Sequence, residues 1–243
     1  MTRPKTRTVL LNNVDHHDLR LTPRHGPAFG DAVNQMLVFP TEFEEVQREY
    51  PIFFLKGADG AFQAVALLGL DRDENLFLDG EAWQARYVPA VQARGPFSIA
   101  LQEREQGAEP MIHVDLDDPR IGTDEGIPLF MPQGGQSPLL EHVGAVLRSI
   151  YVGLEMGGPM FAAFAELGLI EPVKVEIMLS DVDRYDLPDY HAVSEERLAA
   201  LSGAELEALN RAGFLRCAFL AAASLGNVRR LIDLKNRRNG AHG

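Results

Sequence analysis

The chain has 243 residues, 46% hydrophobic and 24% charged, with a formal net charge of −12. That is the profile of a soluble globular protein long enough to bury a core. The acidic balance excludes general nucleic-acid binding and adsorption to anionic membranes, because nothing offsets repulsion from phosphates. No apolar run approaches the roughly 20 residues of a membrane span. "MTRPKTRTVLLNN" lacks the apolar region of a signal peptide, so the expected location is cytoplasmic. Cys217 is the only cysteine, which excludes an internal disulfide or a cysteine-based zinc site. Within "LRCAFLAAA" it reads as a small residue on a buried helix face.

In chain order, the first half reads as strands and turns. "TEFEEVQREY" predicts a short helix capped by Thr41 and Glu44 and ended by Pro51. "PIFFL" and "AFQAVALLGL" flank the turn "GADG" and predict a hairpin. "NLFL", "FSIAL" and "MIHVDL" predict further strands. The acidic run from Asp115 to Glu125 predicts a surface loop, and "GIPLFMPQGGQ" a connector.

The texture changes near residue 135. Ser137 as cap and Pro138 at the first helical position open a long helix with a stripe from Leu139 to Leu154. "MGGPM" predicts a break at Pro159, and Gly168 a helix end. "EPVKVEIML" alternates as a half-buried strand. Ser194 caps "EERLAAL", and Ser202 with Glu205 forms a capping box. The basic tail "KNRRNGAHG" predicts a frayed end. The fold expected is α+β: one domain over 1–243, with a β-rich half (1–135) packed against a mainly helical half (136–243).

Candidate chemistry is sparse. His113 and Asp115 in "HVD" share a strand face, and His191 could complete a two-histidine, one-carboxylate iron site. Arg197 could then hold a co-substrate carboxylate. "DRDEN" puts Asp71, Asp73 and Asn75 at calcium-loop spacing. Leu76 replaces the turn glycine and Ala82 the bidentate glutamate, so solvated turn residues are expected. Asp181 and Asp183 read as a similar solvated pair. Ser137 is followed by Pro138, which has no N–H for an oxyanion hole, so it reads as a helix cap and not a nucleophile. No phosphate-binding or dinucleotide fingerprint occurs. "WQARYVPAVQARGPFSIAL" holds the only tryptophan. There Trp83, Tyr87 and Phe97, with Arg86 and Arg94, could form a platform for an aromatic or anionic ligand.

Five segments in order resemble the bacterial SapC-like family. They are "FPTEFEEVQREYPIFF", "AVALLGLDRDENLFLDGEAWQARYVPAVQARGPFSIAL", "GIPLFMPQGGQ", "LGLIEPV" and "SLGNVRRLI". The resemblance spans nearly the whole chain. "DLPDYHAV" stands where the family carries a Gly-Leu-Tyr-like turn. The family name implies a surface-layer-associated role, and relatives encoded near outer-membrane uptake receptors, halogenase-like proteins and cupin-like oxygenases. It carries over no catalytic residue and no cofactor.

Two functional expectations follow. The first is a non-catalytic accessory protein of a surface or nutrient-handling system. It would bind a protein partner or small molecule through Trp83, Tyr87, Arg94 and Phe97. The second is a non-haem iron oxygenase using His113, Asp115 and His191.

Overall fold

A computed structural model describes residues 7–104, 107–178 and 184–240. The strands are β1 Thr8–Leu10, β2 Arg20–Leu21, β3 Gln35–Val38, β4 Ile52–Lys56, β5 Phe62–Leu67, β6 Leu78–Asp79, β7 Ala82–Trp83, β8 Phe97–Arg104, β9 Gly107–Asp115, β10 Ile121–Gly122, β11 Ile127–Pro128, β12 Ile170–Pro172, β13 Val175–Met178, β14 Arg184–Leu187 and β15 Tyr190–Val193. The helices are α1 Phe43–Val46, α2 Ala90–Ala93, α3 Pro138–Glu166, α4 Glu195–Ala199, α5 Gly203–Arg211, α6 Phe214–Ser224 and α7 Val228–Gly240. The fold is α+β, with most strands early and most helices late. No helix among the described residues is long and apolar enough to cross a membrane.

The chain forms two compact units whose boundaries differ from the texture change at 135. One comprises Met1–Arg24 with Ala90–Ser149, the other His25–Pro89 with Ile150–Gly243.

In the first unit, β9 is the middle strand of the antiparallel sheet β1-β9-β8. A smaller sheet has the order β10-β2-β11. Phe97 and Val114 face each other in register and are fully buried among Leu19, Leu129, Leu140 and Val143. Ser137 caps α3 as its sequence requires, accepting a hydrogen bond from the Leu140 N–H at 3.3 Å. In the acidic loop, Arg120 forks onto both carboxylate oxygens of Asp118, at 2.9 and 2.7 Å.

The second unit is built on the sheet β12-β15-β4-β5-β3. The hairpin β4–β5 forms as its turn residues predict, pairing Ile52 with Ala66 and Lys56 with Phe62. Ile52, Phe53 and Phe54 are all buried, so this strand is covered on both faces. Phe54 meets Phe161 and Phe164 of α3, while Phe53 meets Tyr190. The buried Ser224 hydroxyl at the end of α6 accepts the Ile52 N–H at 2.8 Å.

Several local expectations are corrected here. Helix α3 runs unbroken through "MGGPM". Pro159 lies on the exposed side, while Met160, Phe161 and Phe164 are buried on the inner side. That burial outweighs the roughly 3 kcal/mol an interior proline costs. The helix ends at Glu166, and Gly168 with φ +66 closes its last turn as expected, where Leu169 N–H reaches the Phe164 carbonyl and Gly168 N–H that of Ala165. The predicted strand "EPVKVEIML" is split into β12 and β13, which belong to different sheets. "NLFL" contributes only Leu78 to a two-residue strand. The first helix begins earlier than expected, with a 3-10 turn over Pro40–Glu42, so Thr41 lies inside it.

The basic tail is helical to Gly240, and in "DRDEN" Asp71 and Asp73 are exposed as expected while Asn75 is buried. Lys235 is buried at 6% exposure. Its ammonium donates to Asp71 Oδ2 at 2.5 Å and Glu74 Oε1 at 2.7 Å. Burial disfavours the charge, but the bonds to Asp71 and Glu74 outweigh it and hold the ammonium above the usual lysine range. Arg238 donates to the Leu78 carbonyl at 2.9 Å. Asp181 and Asp183 lie outside the described residues.

Two variants test this packing by urea unfolding. Lys235→Met leaves Asp71 without its lysine and Glu74 with only Arg238 at 3.9 Å, and is expected to lose about 3 kcal/mol, whereas Asp71→Asn, at a half-exposed carboxylate, loses about 1 kcal/mol or less. Equal losses would contradict the buried latch. A Cβ on Gly153 would collide with Phe39, so Gly153→Ala is expected to cost about 1–3 kcal/mol despite its higher helix propensity. A stabilised Gly153→Ala protein would contradict that contact.

Candidate functional site

In the second unit, two glutamates of the "TEFEEVQREY" segment turn inward. Glu42 is 3% exposed. It accepts the Phe39 N–H at 3.0 Å through Oε1 and the Tyr87 hydroxyl at 2.7 Å through Oε2. Glu49 receives Arg230 at 3.0 Å on Oε1. On Oε2 it accepts the backbone N–H groups of Arg86 and Tyr87 at 2.8 and 3.2 Å. These bonds fix a stretch, residues 84–89, that contains no strand or helix.

Tyr50 lies between them, fully buried against Phe77. Its hydroxyl donates to the Tyr87 carbonyl and accepts the Trp83 indole N–H at 2.8 Å. The polar ends of Trp83 and Tyr87 are thus satisfied by the protein, while both side chains stay half-buried. Burial raises the Tyr50 hydroxyl above the usual tyrosine range, and Glu49 adds to it against the opposing Trp83 bond. For Tyr87, burial and then the Glu42 carboxylate push in the same direction.

The four expected platform residues divide between the units at Pro89–Ala90. Trp83 and Tyr87 belong to the network above. Arg94 in the other unit donates to the Phe97 carbonyl at 2.7 Å. The Phe97 ring is completely buried in its own core, so its place in a ligand platform is corrected: it has no surface to offer. Arg86 contributes its backbone N–H to the network, and its residue is exposed.

The iron alternative has no support. His113 and Asp115 flank the core-facing Val114 and therefore point away from that core. Both belong to the first unit, whereas His191 belongs to the second, with its ring 5.1 Å from Phe62. Among the described residues, no group of three His, Cys, Asp or Glu side chains is placed to hold a metal ion. Arg197 donates to the Leu167 carbonyl at 2.8 Å and to Glu205 at 2.6 Å, which ties helix ends together. Cys217 is buried as expected, and burial pushes its thiol up.

The SapC family model matches residues 11–231. The chain belongs to the SapC family. The matched span includes the Glu42–Glu49–Trp83–Tyr87 network and Arg230, so in this SapC chain the network lies inside the family region. No curated protein matches the chain, and no solved structure matches it.

Sequence reasoning missed Glu42, Glu49 and Arg230. Glu42 and Glu49 sit beside the buried aromatics Phe43 and Tyr50. An acidic residue abutting apolar residues was the available signal.

All five tyrosines, Tyr50, Tyr87, Tyr151, Tyr185 and Tyr190, ionise above the ordinary value. Their protonated forms are favoured by folding. That stability is present in full below about pH 10, the unfolded value, and is lost as pH rises through the raised native values. A spectrophotometric titration is expected to leave the two network tyrosines, Tyr50 and Tyr87, un-ionised at about pH 10 until the protein unfolds. Ionisation of all five tyrosines near pH 10 with the fold intact would contradict the network. Tyr50→Phe strands the Trp83 indole N–H and is expected to cost about 1–3 kcal/mol.

Proposed function

We propose that this SapC-family chain is a non-catalytic binding protein serving a surface or nutrient-handling system, and that Trp83 and Tyr87 meet its ligand or partner. One observation carries the reading. The polar ends of both aromatics are already bonded to buried protein groups, yet each residue keeps part of its surface accessible. Held this way, large apolar surfaces lose little freedom on binding, which favours affinity. A residue serving the core alone would be covered, as Tyr50 and Phe77 are. The net charge of −12 supports a partner other than nucleic acid.

The test compares wild type with Trp83→Ala and an exposed control, Arg148→Ala, for retention of a ligand or partner from bacterial extract. Trp83→Ala is expected to weaken retention at least about tenfold. The control should bind as wild type, and both variants should keep the wild-type far-ultraviolet circular dichroism. Equal retention by both variants would overturn the assignment of this face.

A further inference from the structure

The segment "HGPAFGD", residues 25–31, lies beside Trp83. The His25 ring is centred 5.5 Å from the Trp83 ring and tilted by 53°. Its Nδ1 is buried and lies 3.4 Å from Asp31 Oδ2, within ion-pair range but out of line for a hydrogen bond. The rest of the imidazole carries the exposure, since the side chain is 28% accessible.

Asp31 is completely buried. Its Oδ2 accepts the Gly26 N–H at 2.6 Å, and its backbone carbonyl accepts the Asn75 side-chain amide at 2.9 Å. Oδ1 has no hydrogen-bond partner among the described residues. Gly26 at φ +143 and Gly30 at φ +82 hold backbone conformations that suit glycine. Two special glycines and a buried carboxylate thus hold one histidine against the half-buried tryptophan.

We infer that His25 is the hydrogen-bonding residue of the Trp83 face, and that the face takes a planar aromatic ligand carrying an O–H or N–H donor on its edge. This rests on the reading of Trp83 as a binding residue. A buried carboxylate beside Nδ1 favours a proton there. In the neutral imidazole the lone pair then stands on Nε2, at the outward end of the ring. Nε2 accepts, so the ligand must donate. The Trp83 indole N–H and the Tyr87 hydroxyl already have partners, which leaves their rings to offer apolar contact. The Asp31 carboxylate beside the ring disfavours an anionic ligand.

The probes are phenol, anisole and benzoate, titrated into the full chain. The readout is emission of Trp83, the only tryptophan, excited beyond phenol absorption. Phenol is expected to give a saturable change. Anisole, which lacks the donor, should bind about fivefold or more weakly, and benzoate more weakly than phenol. His25→Phe should erase the gap between phenol and anisole. His25→Gln, whose side-chain oxygen can accept, should restore part of it. A wild-type protein that binds phenol and anisole alike overturns the role of His25 and leaves the Trp83 face standing. A gap that persists in His25→Phe does the same. Saturation by none of the probes overturns the inference, while the extract comparison with Trp83→Ala decides the broader reading separately.

Discussion

The Glu49 carboxylate joins three stretches that are far apart in the chain. One oxygen holds Arg230 of α7, and the other holds the Arg86 and Tyr87 amides. Its side chain is 12% exposed. Such a group is stable as an anion only where donors replace the water it loses, and here it has three. Neither strand nor helix carries residues 84–89, so the Arg86 and Tyr87 N–H groups depend on that carboxylate.

From that constraint the rest of the site follows. With the Tyr87 amide fixed, its carbonyl meets the Tyr50 hydroxyl, which in turn accepts the Trp83 indole N–H. Arg230 also lies over the Phe77 ring, at 5.4 Å from its centre. The same helix places Lys235 on Asp71 and Glu74. The acidic turn "DRDEN" therefore works as a receptor for α7, and its failure to match a calcium loop has a positive explanation.

Features that depend on neighbours in sequence were legible. Ser137, Ser194 and the Ser202–Glu205 pair cap their helices, because a cap needs only the next turn of backbone. The hairpin β4–β5 is equally local. Features that depend on distant partners were not legible. Lys235 and Asp71 are separated by 164 positions, and nothing in "KNRRNG" announces a buried ammonium. Pro159 breaks no helix because the inner face of α3 meets Phe54 and Phe62, which no propensity records. The aromatic cluster was legible as a cluster. Its division into a core residue, Phe97, and half-buried ones, Trp83 and Tyr87, was not, because burial is a property of the folded chain. His25 and Asp31 gave no signal beyond two glycines in a short loop.

The central claim is that the Glu49 carboxylate, and not regular secondary structure, holds the Trp83–Tyr87 segment in place. Amide hydrogen exchange at Arg86 and Tyr87 measures it most directly, in wild type and in Glu49→Ala. The account predicts slow exchange at both amides in wild type and exchange near the unprotected rate in the variant, with β4 and β5 still protected. Fast exchange at Arg86 and Tyr87 in the wild-type protein would contradict it.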